Sequence, residues 1–184
     1  MLRGNRELWL AALAILLITG LYVVVVMFTR EIPPAGELFG HSMGIVGFIF
    51  MLMTETLYSL RKRSRSVKWG RLSSWLQFHI FTGIVGSYMV LLHSSWKFNG
   101  IAGVTTLFTI IIVISGFTGR YIFTRIPRTL DGLEIEGTLS QEALKQARRL
   151  LALWHTIHIP IGMVLFTSAF IHIGAALYYA TLLK

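Results

Sequence analysis

Cysteine is absent from all 184 residues. No disulfide can form, no cysteine-ligated iron–sulfur cluster can be held, and the C-x-x-C-H attachment of a c-type heme is excluded. Charge is scarce as well: 14% of the chain is Asp, Glu, Lys or Arg, against 54% hydrophobic, with a mean hydropathy of +0.67. That balance predicts a membrane protein. Acidic residues are fewest, eight against seventeen Lys and Arg, for a net charge of +9. A basic chain can signal nucleic acid. Here the cations sit in short stretches between apolar runs, the pattern of cytoplasmic loops in a membrane protein, and no nucleic-acid partner is expected.

What remains is apolar sequence in five runs. Spans are predicted at 8–28, 41–60, 75–94, 101–123 and 150–182, giving an all-α integral membrane fold as a single transmembrane domain over 1–184. The first run is too long for a signal-peptide core, lacks an A-x-A-like cleavage site and reads as a retained helix. Pro33-Pro34 breaks the chain after it. Gly40, Gly44 and Gly47 put a small-residue stripe at the start of the second span, permitting close approach. Arg61, Lys62, Arg63, Arg65, Lys68 and Arg71 mark 61–74 as a cytoplasmic loop. The stretch 124–149 is the second such loop; within it Ser140 is the expected N-cap of a short surface helix leading to the last span. The membrane is then a plasma (inner) membrane, with the N-terminus cytoplasmic and the C-terminus outside. On that topology the third and fifth spans run in the same direction.

Those two spans carry five of the six histidines, and four of the five fall into matching pairs. His79 and His93 lie fourteen positions apart, as do His158 and His172. Fourteen residues is close to four helical turns, so each pair shares a face, with a rise of roughly 21 Å between its members. His79 and His158 fall on the cytoplasmic side, His93 and His172 on the outer side. Two levels of paired imidazoles suit two stacked hemes, each held by one histidine from each helix, because heme iron takes two axial nitrogens. Bare zinc or copper sites fit less well, since each level offers two imidazoles and no thiolate or clear carboxylate to complete a shell.

Around the histidines, Gly83, Gly86 and Gly162 offer space where a flat ring would lie against a helix; small residues are also common in membrane helix packing. Heme propionates need cations. Arg120, inside the end of the fourth span, is the first candidate, with Arg71, Arg125 and Arg149 on the same side and Lys97 outside. Glu55, the carboxylate within a span, either serves protons at a quinone site or pairs with Arg61 or Arg120. His155 and His41 either join such a site or face headgroups.

Two helices each bearing His, thirteen residues and His, with one helix between them, resemble the respiratory cytochrome b family. They equally resemble the membrane domain of ferric-reductase-like proteins. The resemblance covers roughly 75–182 and implies that His79, His93, His158 and His172 are axial ligands of two b-type hemes. The stretch from Gly116 to Arg128 is similar to that of small bacterial dihaem membrane cytochromes associated with larger electron-transfer systems. The Pro-Glu-Trp-Tyr quinol-site motif of full-length cytochrome b is missing, as is any flavin or nicotinamide domain. The expected function is transmembrane electron transfer within a redox complex. Its partners would be membrane lipid and other subunits: a c-type cytochrome outside, and quinone or a flavin or iron–sulfur subunit inside. Two alternatives stand beside it, a cytochrome with its own quinol/quinone site and a non-redox membrane anchor.

Overall fold

The computed structural model describes residues 5–63, 70–124, 126 and 140–182. They form five helices: α1 (Arg6–Thr29), α2 (Leu38–Arg63), α3 (Leu72–His93), α4 (Gly100–Thr124) and α5 (Gln141–Leu182). Each is long and apolar enough to cross a membrane. Every expected span is therefore a helix. Each of the first four runs a little past its apolar core at one end or both, because helix formation needs hydrogen bonds and not hydropathy.

The last element departs from expectation. The predicted surface helix and final span are one continuous helix of 42 residues, roughly 63 Å at 1.5 Å per residue. Ser140 does cap it: its Oγ accepts the Ala143 N–H at 3.2 Å. Lys145, Arg148 and Arg149 lower the hydropathy of its first turns without disfavouring helix. Pro160 sits within it and leaves the Thr156 carbonyl without its helical donor, yet the helix continues.

α3 is the hub. One third of its apolar window is buried, against 6% for α1. It packs on α1, α2 and α4, while α5 packs on α4. The molecule thus divides into an α2–α3 lobe and an α4–α5 lobe, with α1 lying along α3. In the α2–α3 lobe the backbones approach through glycine: a Cβ on Gly86 would stand 2.8 Å from the Gly47 carbonyl oxygen, and one on Gly47 2.9 Å from that of Gly86. The stripe read from the sequence serves helix contact here. The α4–α5 lobe is joined by side chains. The Thr105 and Ser168 hydroxyls lie 3.1 Å apart, and the Trp154 indole fills the space over Gly119.

Between the lobes, Phe48 of α2 meets Phe166 and Phe170 of α5, with ring centroids 6.3 and 5.5 Å away. α3 and α5 make no close backbone contact among the described residues. Polar groups hold the lobe edges. The Thr19 and Tyr88 hydroxyls are 2.6 Å apart between α1 and α3, and Arg120 of α4 forms an ion pair with Glu7 of α1 at 2.7 Å.

Candidate functional site

The four paired histidines of α3 and α5 fall at two levels. At one, the His93 and His172 rings face each other with centroids 6.5 Å apart and planes at 65°. The other is made by His79 and His158, each fourteen residues back along the same helix. α3 and α5 therefore run in the same direction. Two imidazoles bound to opposite sides of one metal ion, each through a bond of roughly 2 Å, would show a centroid separation of about 6 Å. The His93–His172 distance fits that arrangement.

Helix α2 orients both imidazoles of α3. His79 Nδ1 lies 2.9 Å from the Thr54 carbonyl oxygen, and His93 Nδ1 lies 2.8 Å from that of Gly40. A carbonyl only accepts, so Nδ1 carries the proton in both rings and Nε2 presents its lone pair on the side away from α2. The acceptors Gly40 and Thr54 are themselves fourteen residues apart, antiparallel to the histidines they serve. Gly44 completes the arrangement: a Cβ there would stand 2.8 Å from the His93 ring.

The α4–α5 lobe repeats this once. His158 Nδ1 lies 2.9 Å from Ser115 Oγ. The Trp154 indole stacks on the His158 ring at 4.5 Å and donates to the Ser115 carbonyl at 2.7 Å. Thr105 opposite Ser168, Ser115 opposite His158 and Gly119 opposite Trp154 share one antiparallel register. That register sets Ile101 opposite His172, and an isoleucine side chain accepts no hydrogen bond. Accordingly His172 has no hydrogen bond among the described residues, while Nδ1 of the other three is held.

No family model, no curated protein and no solved structure matches this chain.

Several residues singled out in the sequence stand elsewhere. The Cβ directions of Gly83 and Gly86 meet α2, at Thr54 and Gly47, and that of Gly162 meets Ile112 of α4. The space expected for a flat ring at these three positions is occupied by neighbouring helices. Arg120 is also corrected: its Nε and Nη2 donate to Glu7 Oε1 at 3.1 and 2.7 Å, and Nη2 to Asn5 Oδ1 at 3.1 Å. Its partner is therefore a protein carboxylate. Glu7 is only 2% exposed, and its Oε2 has no partner among the described residues.

Among the described residues Glu55 pairs with neither Arg61 nor Arg120; it is exposed and accepts from Ser59 Oγ at 3.5 Å. Arg61 donates to the Gly70 carbonyl at 3.2 Å. Arg71 caps the start of α3 and Lys97 lies in the α3–α4 turn, both exposed. Arg149 is exposed on α5, and Arg125 lies outside the described residues, as does most of the stretch beyond Ile126. His41 and His155 are at opposite ends of the bundle. His41 is exposed, with its ring 6.5 Å from that of His93. His155 Nδ1 donates to the Leu151 carbonyl at 2.9 Å, and its Nε2 lies 3.4 Å from Lys62 Nζ. No one site gathers Glu55, His41 and His155.

Among the described residues, no three His, Asp or Glu side chains converge as a bare-ion site would need. Two imidazoles per level suit a metal whose other ligands belong to a prosthetic ring. The positioning groups were hidden from sequence reasoning for different reasons. Gly40 and Thr54 act through main-chain oxygen, which has no residue signature. Ser115 and Trp154 become legible only once the α4–α5 register is known.

Proposed function

We propose that this chain is a membrane cytochrome subunit in which His79 with His158, and His93 with His172, are the axial ligands of two b-type hemes. Heme so ligated supplies one-electron transfer and leaves no iron position open for substrate. The observation that carries the reading is the match between acceptors and histidines. Gly40 and Thr54 repeat at the histidine spacing and leave Nε2 of both α3 rings unprotonated. A metal-binding imidazole needs that tautomer, and it is ordinarily fixed by such an outer hydrogen bond. The 6.5 Å ring separation and the lack of close α3–α5 backbone contact also support it.

The residues of the chain hold the imidazoles still, exclude water with apolar side chains between the levels and give the two sites unlike surroundings. Tyr58 and Trp154 flank one level, whereas His41 and the Gly44 face flank the other. Clustered cations on the α2–α3 connection orient the His79–His158 level toward the cytoplasm. The route then runs between the two faces of a plasma membrane, with donor and acceptor subunits outside this chain.

A reduced-minus-oxidised spectrum of purified protein is expected to carry b-type bands, with heme quantified at two per chain. His93→Ala and His158→Ala should each remove one level. Unchanged heme content in both variants, or colourless folded wild-type protein, would refute the assignment.

A further inference from the structure

The contacts at the His79–His158 level close into a chain that leads from one imidazole to the other. Tyr58 lies against His79, with ring centroids 5.0 Å apart. Lys62 Nζ sits 5.9 Å from the centre of the Tyr58 ring and 3.4 Å from His155 Nε2. His155 packs edge-on to Trp154 at 4.7 Å, and Trp154 stacks on His158. The Leu151 carbonyl fixes the His155 tautomer, because Nδ1 must donate to it. Nε2 is therefore an acceptor, and the ammonium of Lys62 is the donor. This contact is a polar link between α2 and α5.

Position matters as much as charge. Lys62 is eight residues beyond Thr54 along α2, roughly 12 Å toward the membrane surface, and its side chain returns to His155, one helical turn outside His158. A strongly hydrated ammonium is thus brought against the Tyr58 ring and His155 at the rim of the paired imidazoles. Arg120, the cation expected there, is committed to Glu7.

We propose that Lys62, positioned by His155, binds an anionic oxygen group at the rim of this level, supplied by the carboxylates of the cofactor that His79 and His158 hold. The proposal rests on the two-heme reading. A phospholipid phosphate offers the same chemistry and is the alternative source of the anion.

The test is a spectroelectrochemical titration of heme in full-length protein, reconstituted once in zwitterionic lipid alone and once with anionic lipid. Removing a cation beside the carboxylates favours the oxidised iron. Lys62→Gln should therefore lower one midpoint potential and leave the other unchanged in both lipid mixtures. The shift should persist in the His93→Ala background, where one level remains, and Lys62→Arg should restore the wild-type value. A shift seen only with anionic lipid would assign the anion to a headgroup and overturn the proposal. Unchanged midpoints at full heme content would also overturn it. Wild-type protein without heme would instead refute the underlying reading.

Discussion

The two lobes present the same chemical group by different means. In the α2–α3 lobe, glycine meets glycine, the backbones touch, and both imidazoles are fixed by main-chain oxygen. In the α4–α5 lobe, hydroxyls and an indole mediate contact; one imidazole is fixed by a serine and the other by no hydrogen bond among the described residues. The difference teaches that α3 is the template and α5 the adjustable partner. A ring held by a carbonyl has one tautomer and one orientation. Ser115 Oγ can donate or accept, so His158 is less constrained, and His172 less still.

The largest break in this comparison is expected from Gly86→Leu. Even a Cβ at position 86 stands 2.8 Å from the Gly47 carbonyl, and backbone cannot yield as a flexible side chain would. Overpacking typically costs about 1–3 kcal/mol, and a leucine driven onto unyielding backbone exceeds that range. Separation of α2 from α3 would disturb both levels, read as loss of folded protein in detergent and of all bound heme. Retention of both would show that the template is less rigid than described.

Next comes Arg120→Ala, which tests the tie between α1 and α4. It leaves Glu7, with a side chain 1% exposed, as an uncompensated buried charge. The expected loss is about 3 kcal/mol, measured as a lower unfolding midpoint. Glu7→Gln should recover part of that loss in the Arg120→Ala background, because it removes the stranded charge.

Ser115→Ala probes the adjustable lobe directly. It removes the His158 Nδ1 partner but leaves the Trp154 bond to the Ser115 carbonyl. Loss of such an outer partner typically weakens metal binding roughly 10–100-fold. Heme retention at the His79–His158 level should fall while the other level is unaffected, as followed by heme transfer to an apo-globin acceptor. Equal loss at both levels would contradict the separation of the two lobes.

The smallest effect is expected at Gly162→Ala. A Cβ there meets Ile112 Cδ1 at an ordinary 3.9 Å. Stability should stay within about 0.5 kcal/mol of wild type, checked by the same unfolding midpoint. A large loss would mean that the α4–α5 lobe shares the glycine dependence of its neighbour.

The sequence disclosed the five helices because apolar runs of membrane length have few other readings. It also disclosed the two histidine levels, because a fourteen-residue step on a helix is a geometric statement. It misplaced the start of α5, where Lys145, Arg148 and Arg149 ended the apolar run but not the helix. It assigned Gly83, Gly86 and Gly162 to an open space that neighbouring helices occupy, since a glycine declares that something is close without naming it. Glu7 was hidden among charges, and only tertiary contact with Arg120 distinguishes it from a solvated head residue.

The oxygen that orients His79 belongs to the peptide bond after Thr54, not to the threonine side chain. Every amino acid at position 54 would bring the same oxygen, so side-chain replacement there cannot delete it. Only a change that displaces the helix itself, a proline a turn further on or a bulky intruder at the glycine seam, would withdraw it. Mutational scans at position 54 would therefore report on the threonine hydroxyl, which pairs with that of Thr82 at 2.7 Å, and not on the atom that sets the direction of the ring.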